Sequence, residues 1–225
     1  MTSVSLIGMI IYPGSNCDRD CEKALWELFQ IKVVKIWHKE KNLPKLRGII
    51  LPGGFSYGDY LRSGALASLS PVMEGIKEHA KNGGAILGIC NGFQVLTESH
   101  LLPGTLLRNE SHKFICKELS LSPQKNSTVW NDTVGEDKLR IPIAHKEGRY
   151  YIKEDGLSEL EKNEQILLRY EGENPNGSTS DIAGVSSKDG KIMGMMPHPE
   201  RAALAGRHQS QDGKKVLESF LAQSL

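Results

Sequence analysis

The sequence predicts an α/β fold: a mostly parallel, doubly wound sheet with antiparallel strands added in the second half. Two observations carry this. Through about residue 100, short β-prone apolar runs alternate with segments of helical periodicity, the pattern of a parallel sheet covered on both faces. Beyond that point β-type segments follow one another with turn residues between them, as hairpins do.

Val4 to Tyr12 is apolar and β-prone, and it stops at Pro13-Gly14-Ser15-Asn16, a dense turn signal. Asp18 to Phe29 carries Ala24, Leu25, Leu28 and Phe29 at helical spacing. Lys32 to Trp37 reads as a second strand, and Gly48 to Leu51 as a short buried third ending at Pro52-Gly53-Gly54. Leu69 to Lys81 reads as a helix, Ala85 to Ile89 as a fourth strand, and Asn91 to Ser99 as the helix after it. In the second half, strands are expected at Phe114 to Leu121, Leu139 to Ala144, Arg149 to Lys153, Ile166 to Tyr170, Ile182 to Ser186 and Ile192 to Met195, beside the parallel core. Val216 to Ala222 closes the chain as a helix. No repeat, low-complexity tract or long linker interrupts the sequence, so residues 1–225 are expected to form a single domain.

Composition narrows the function. The chain has 39% hydrophobic and 24% charged residues, an ordinary globular balance. Its 28 Lys+Arg against 27 Asp+Glu leave a net charge of +1, which gives no electrostatic reason to expect nucleic acid or an anionic membrane as partner. The apolar runs are too short to span a bilayer, and no secretory signal opens the chain, so a cytoplasmic location is expected. Four cysteines (Cys17, Cys21, Cys90, Cys116) are too few and too spread for a disulfide framework, and their spacing fits no zinc pattern, so no metal site is expected.

Gly88-Ile89-Cys90-Asn91-Gly92 sits where the fourth strand hands over to a helix. The pattern G-x-C-x-G is the thiol counterpart of the serine nucleophile elbow. A sharp turn there exposes a nucleophile at the carboxyl end of the sheet, and the helix N-terminus favours thiolate over thiol. The Asn91 N–H would face a developing oxyanion. Cys17, Cys21 and Cys116 lack that context and read as ordinary small residues.

A thiolate nucleophile needs a proton carrier. Met196-Pro197-His198-Pro199-Glu200-Arg201 follows the last β segment, with two prolines fixing the backbone around His198. Glu200 lies two residues on, so in extended chain its side chain shares a face with His198 and could orient the imidazole. None of the other six histidines has such a setting. His145, in Ala144-His145-Lys146-Glu147-Gly148, is the strongest of them, with a structural or partner-facing role expected.

Together, Gly88-Ile89-Cys90-Asn91-Gly92-Phe93-Gln94 and Pro197-His198-Pro199-Glu200 resemble the class I, triad-type glutamine amidotransferases, whose fold is flavodoxin-like. Pro13 to Asp18, Leu51 to Arg62 (with Pro-Gly-Gly-Phe-Ser-Tyr-Gly-Asp) and Met196 to Ala202 resemble one branch of that class. Its ammonia serves the conversion of formylglycinamide ribonucleotide to formylglycinamidine ribonucleotide in purine biosynthesis. The resemblance implies Cys90 as nucleophile, His198 as general base and acid, and Glu200 as its orienter. It implies oxyanion-hole N–H groups from Gly54 and Asn91, and glutamine binding by Gly53 and Gln94. It also implies two partner proteins: a large, separate synthetase subunit, plus a small accessory subunit. This chain has no Walker-type phosphate loop, so it is expected to carry no cofactor, with ATP and Mg in the synthetase. The segment from Arg108 to Leu121 resembles a family segment near the active-site mouth and is a candidate partner contact.

Three rival readings remain. One is a cysteine peptidase or thiol-dependent hydratase on the same elbow, which fits Gln94 and the His-Pro-Glu pair less well. A second is a sibling amidotransferase serving GMP, anthranilate or carbamoyl phosphate synthesis, against which the Phe-Ser-Tyr-Gly-Asp run argues. The third is a non-catalytic module of the same fold, against which the intact Cys, His and Glu set argues.

Overall fold

The computed structural model describes residues 7–125, 129–206 and 208–224. Chain order is β1 (Ile7–Ile11), α1 (Asp18–Phe29), β2 (Val33–Trp37), β3 (Gly48–Leu51), α2 (Val72–Lys81), β4 (Ala85–Ile89) and α3 (Asn91–Glu98). Then follow β5 (Thr105–Leu107), β6 (Ile115–Pro123), α4 (Val129–Val134), β7 (Leu139–His145), β8 (Arg149–Tyr151), α5 (Glu154–Lys162), β9 (Ile166–Tyr170), β10 (Ile182–Ser186), β11 (Ile192–Met195) and α6 (Gly213–Ser224).

Nine strands form one sheet in the order β2-β1-β3-β4-β11-β10-β9-β6-β7. The first five are parallel, and β11 stands where a flavodoxin-like sheet has its fifth strand. From β11 onward each pairing is antiparallel. Central strands β3, β4, β10 and β11 are buried at every position, as strands covered on both faces must be. Nearly all the buried apolar side chains among the described residues form one connected cluster.

The doubly wound parallel half with its antiparallel extension is the architecture the sequence predicts, and several strand limits agree to the residue. Three details differ in kind. Ile192–Met195 does not lie beside the parallel core but inside it, parallel to β4 on one side and antiparallel to β10 on the other. Arg149–Tyr151 lies outside the large sheet altogether and pairs with β5, a three-residue strand too short to show periodicity. The helix expected from Leu69 begins at Val72, after a separate 3-10 turn at Ala67–Leu69. Pro71 explains the break: it pushes Ser70 into extended backbone (φ −67°, ψ 148°) and opens a new helix. The expected first strand is seen over Ile7–Ile11, with residues 4–6 outside the described residues.

Candidate active site

Strand β4 ends at Ile89, and the chain turns through Cys90 directly into α3. Cys90 adopts φ 50° and ψ −103°, a conformation that costs a side-chain-bearing residue free energy and is kept where surroundings impose it. Those surroundings are backbone. A Cβ at position 92 would lie 2.0 Å from the Leu51 carbonyl oxygen, and one at position 88 would lie 2.8 Å from the Gly92 carbonyl. Both glycines of the G-x-C-x-G pattern are therefore needed for the helix to sit this close to the sheet. Cys90 N–H donates to the Met195 carbonyl at 2.8 Å, locking the elbow to β11, and the thiol points toward the Ala144 carbonyl at 3.8 Å.

The register between β4 and β11 pairs Ile89 with Met195. Cys90 and the Met196-Pro197-His198 segment therefore emerge side by side at the carboxyl edge of two adjacent parallel strands. His198 N–H donates to Pro142 O at 2.8 Å, so β7 at the sheet's far edge curls back to wall the site. The imidazole is buried at 1% exposure and Glu200 at 0%, and Nδ1–H donates to Glu200 Oε1 at 2.7 Å. Burial by itself would lower the His198 pKa. The Glu200 carboxylate, with the Cys90 and Cys17 sulfurs, outweighs it and holds the imidazole well above its usual range. Nε2 is buried without a hydrogen-bond partner, which leaves it available to a proton that must move.

Gly53 lies against the same ring, with Gly54 next to it in the chain. A Cβ on Gly53 would come within 2.7 Å of His198 Cε1. Gly54 has φ +150° and forms an isolated antiparallel bridge with Ser15, where a Cβ would strike the Gly14 carbonyl at 2.7 Å. Asn91, the first residue of α3, accepts from Ser56 N–H at 3.3 Å through Oδ1 and donates through Nδ2 to Gln94 Oε1 at 2.9 Å. Gln94 in turn donates to the Glu147 carbonyl at 2.5 Å. Both ends of the Gln94 amide are thus engaged within the chain, each with a second hydrogen-bonding position in its chemical inventory. Glu147 accepts from Ser63 N–H at 3.1 Å and from Arg108 at 3.3 Å, tying three loops together over the elbow.

His145 is buried. Its Nδ1 pairs with Asn109 Oδ1 at 3.1 Å, and burial, followed by the nearby His198 charge, pushes its pKa down to about 3. Asn109 also binds the carbonyls of Lys113 and His145 and the Gly148 N–H, so one amide organises the whole mouth. Lys113 and Phe114 are exposed on that mouth, and the Phe114 ring lies 6.5 Å from Phe55.

Sequence reasoning missed one neighbour of His198 and Glu200. Cys17, read there as an ordinary small residue, has its sulfur beneath His198, accepting from Arg201 Nη2 at 3.1 Å. The Pro-Gly-Ser-Asn turn gives no local sign of this, because the contact exists only once β1 and β11 share a sheet.

A family model for CobB/CobQ-like glutamine amidotransferase domains matches residues 6–221. Phosphoribosylformylglycinamidine synthase subunit PurQ of Leptospira interrogans is 51% identical over 220 residues, covering 96% of this chain and 98% of that protein. The protein of the same name from Nostoc sp. is 48% identical over 218 residues, covering 95% and 96%. A chain in the structure of PurLQS from Thermotoga maritima superposes with a TM-score of 0.87 at 43% identity, covering 98% and 99%. Another glutamine amidotransferase from Thermotoga maritima, at 16% identity and a TM-score of 0.61 and covering 98% and 84%, shares the fold. Elbow, buried imidazole–carboxylate pair and near full-length similarity agree: this chain belongs to the glutamine amidotransferases, in the PurQ family of phosphoribosylformylglycinamidine synthase subunits.

Proposed function

We propose that this chain hydrolyses glutamine to glutamate and ammonia in the cytoplasm. The ammonia passes to a separate synthetase subunit that converts formylglycinamide ribonucleotide to formylglycinamidine ribonucleotide in purine biosynthesis. The observation that carries this reading is the buried His198–Glu200 pair, 2.7 Å apart, just after β11, the strand beside the one that ends at the Cys90 elbow. The partners are the large synthetase and a small accessory protein, as in the PurLQS assembly of a relative. ATP and Mg²⁺ belong to the synthetase, since this sequence has no phosphate-binding loop of its own.

The Cys90 thiolate attacks the γ-carboxamide carbon of glutamine, and the carbonyl oxygen becomes an oxyanion facing the N–H groups of Gly54 and Asn91. His198, held protonated by Glu200, gives its Nε2 proton to the departing nitrogen, which leaves as ammonia. The thioester carbon then takes a water whose proton returns to Nε2. Collapse of that adduct frees glutamate and the thiolate. Gly53 lines the pocket as bare backbone, and Gln94 braces the substrate against the Glu147 segment.

The test is the complex reconstituted with Cys90→Ala. Glutamine-dependent synthesis is lost while synthesis from added ammonium salt survives. Loss of both would give Cys90 a structural role instead. Release of fluorophore from peptides, with none of ammonia from glutamine, would replace the reading with a peptidase.

A further inference from the structure

Cys17 lies on α1's approach turn, Cys90 on the elbow after β4, yet the sulfurs of both sit close enough to His198 to act on its charge. One donor atom from each of Cys17, His198 and Glu200 lies within 4.8 Å of the other two, and all three residues are buried. Two atoms of these residues, His198 Nε2 and Glu200 Oε2, have no hydrogen-bond partner despite full burial. Sulfur, imidazole nitrogen and carboxylate oxygen at such distances form the donor set of a tetrahedral transition-metal site with one position open.

We infer that Cys17, His198 and Glu200 form an inhibitory site for a borderline-soft divalent cation of the Zn²⁺ class. Donor atoms of a tetrahedral zinc shell sit roughly 3.3–3.8 Å apart, so the three donors, all within 4.8 Å of one another, reach one ion by shifts of about 1 Å, with the 2.7 Å His198–Glu200 contact opening. Hard cations such as Mg²⁺ and Ca²⁺ are excluded by the thiolate. On binding, the Cys17 thiol proton and any proton on the coordinating nitrogen go to solvent, and the thiolate and carboxylate offset the charge of the ion. Arg201 Nη2, 3.1 Å from the Cys17 sulfur, is the outer donor that holds that thiolate. An ion there takes from His198 both its carboxylate and its freedom to carry protons, so glutamine hydrolysis stops. Inhibition thus rests on the proposed glutaminase reading, whereas binding does not.

Two measurements on the full chain test this. Co²⁺ is titrated into Cys90→Ala and the near-ultraviolet thiolate-to-cobalt charge-transfer band is followed. The band is expected in Cys90→Ala and absent from the Cys17→Ser/Cys90→Ala double variant. Its absence from Cys90→Ala overturns the site whether or not the chain is a glutaminase. In the second, Zn²⁺ inhibition of glutaminase in the reconstituted complex is measured for wild type and Cys17→Ser, each against its own metal-free rate. The half-inhibiting concentration is expected to rise at least about tenfold when Cys17 is lost. An unchanged value means that the ion binds at Cys90 and His198 alone, and the inference fails.

Discussion

Cys90 donates its backbone N–H to the carbonyl of Met195 at 2.8 Å, and this bond ties the strained elbow of the proposed nucleophile to the strand that leads into His198, the proposed base. The two strands run parallel with Ile89 opposite Met195, so the sulfur and the imidazole need no long loop to find one another. Strand register sets the geometry of the proposed triad.

Replacing Glu200 with Gln removes the carboxylate that outweighs burial at His198. We expect kcat for glutamine to fall about 10²- to 10⁴-fold, with ammonia-dependent synthesis by the complex intact. The same change gives a signed effect on stability. A histidine held above its ordinary value contributes stability fully present below about pH 6.5 and lost as pH rises through the higher folded value. The wild type's advantage over Glu200→Gln in denaturant midpoint should therefore be large near pH 6 and shrink in alkaline buffer. An advantage that grows with pH would contradict the raised pKa.

Gly92→Ala places a methyl group 2.0 Å from the Leu51 carbonyl oxygen, where neither backbone can yield. Destabilisation of about 3 kcal/mol or more is expected by urea unfolding, or failure to accumulate folded protein. Gly83→Ala is the control for side-chain crowding, because that site is open, with only its positive φ to strain it.

His145, whose folded pKa is lowered to about 3, contributes stability present above its unfolded value and lost as pH falls. Between pH 7 and pH 5 the unfolded chain takes up a proton there and the folded chain does not, which costs about 2 kcal/mol. The stability of His145→Gln should fall less than that of the wild type over this interval. Parallel pH dependences of the two proteins would show that His145 titrates normally.

Lys113 and Phe114 sit exposed at the mouth organised by Asn109. Charge reversal by Lys113→Glu is expected to weaken binding to the synthetase and to lower coupled activity more than isolated glutaminase. Sedimentation or pull-down of the complex reads the first, ammonia release the second. Intact assembly and coupling would remove this segment from the partner face.

Much of this was legible in sequence because turn residues bracket the strands. Gly48–Leu51, Ala85–Ile89 and Ile182–Ser186 agree with expectation to the residue, each being a short apolar run between punctuating residues. Helices α4 and α5 were not read. Val129–Val134 is short and includes two valines and a threonine, whose branched side chains favour strands, and Glu154–Lys162 is interrupted by Gly156. Cys90, His198 and Glu200 announce themselves through flanking glycines and prolines. Cys17 and Glu147 do not, since their importance comes from which strands become neighbours, a property no local window contains.

Because β11 is inserted between β4 and β10, the sheet is completed by a segment synthesised long after the elbow. On the proposed assignment of roles, a nascent chain that has displayed Cys90 but not yet His198 bears a sulfur without its proton carrier, so it cannot squander cellular glutamine. Hydrolytic competence arrives together with the last strand of the central sheet, and activity becomes a report that folding has finished.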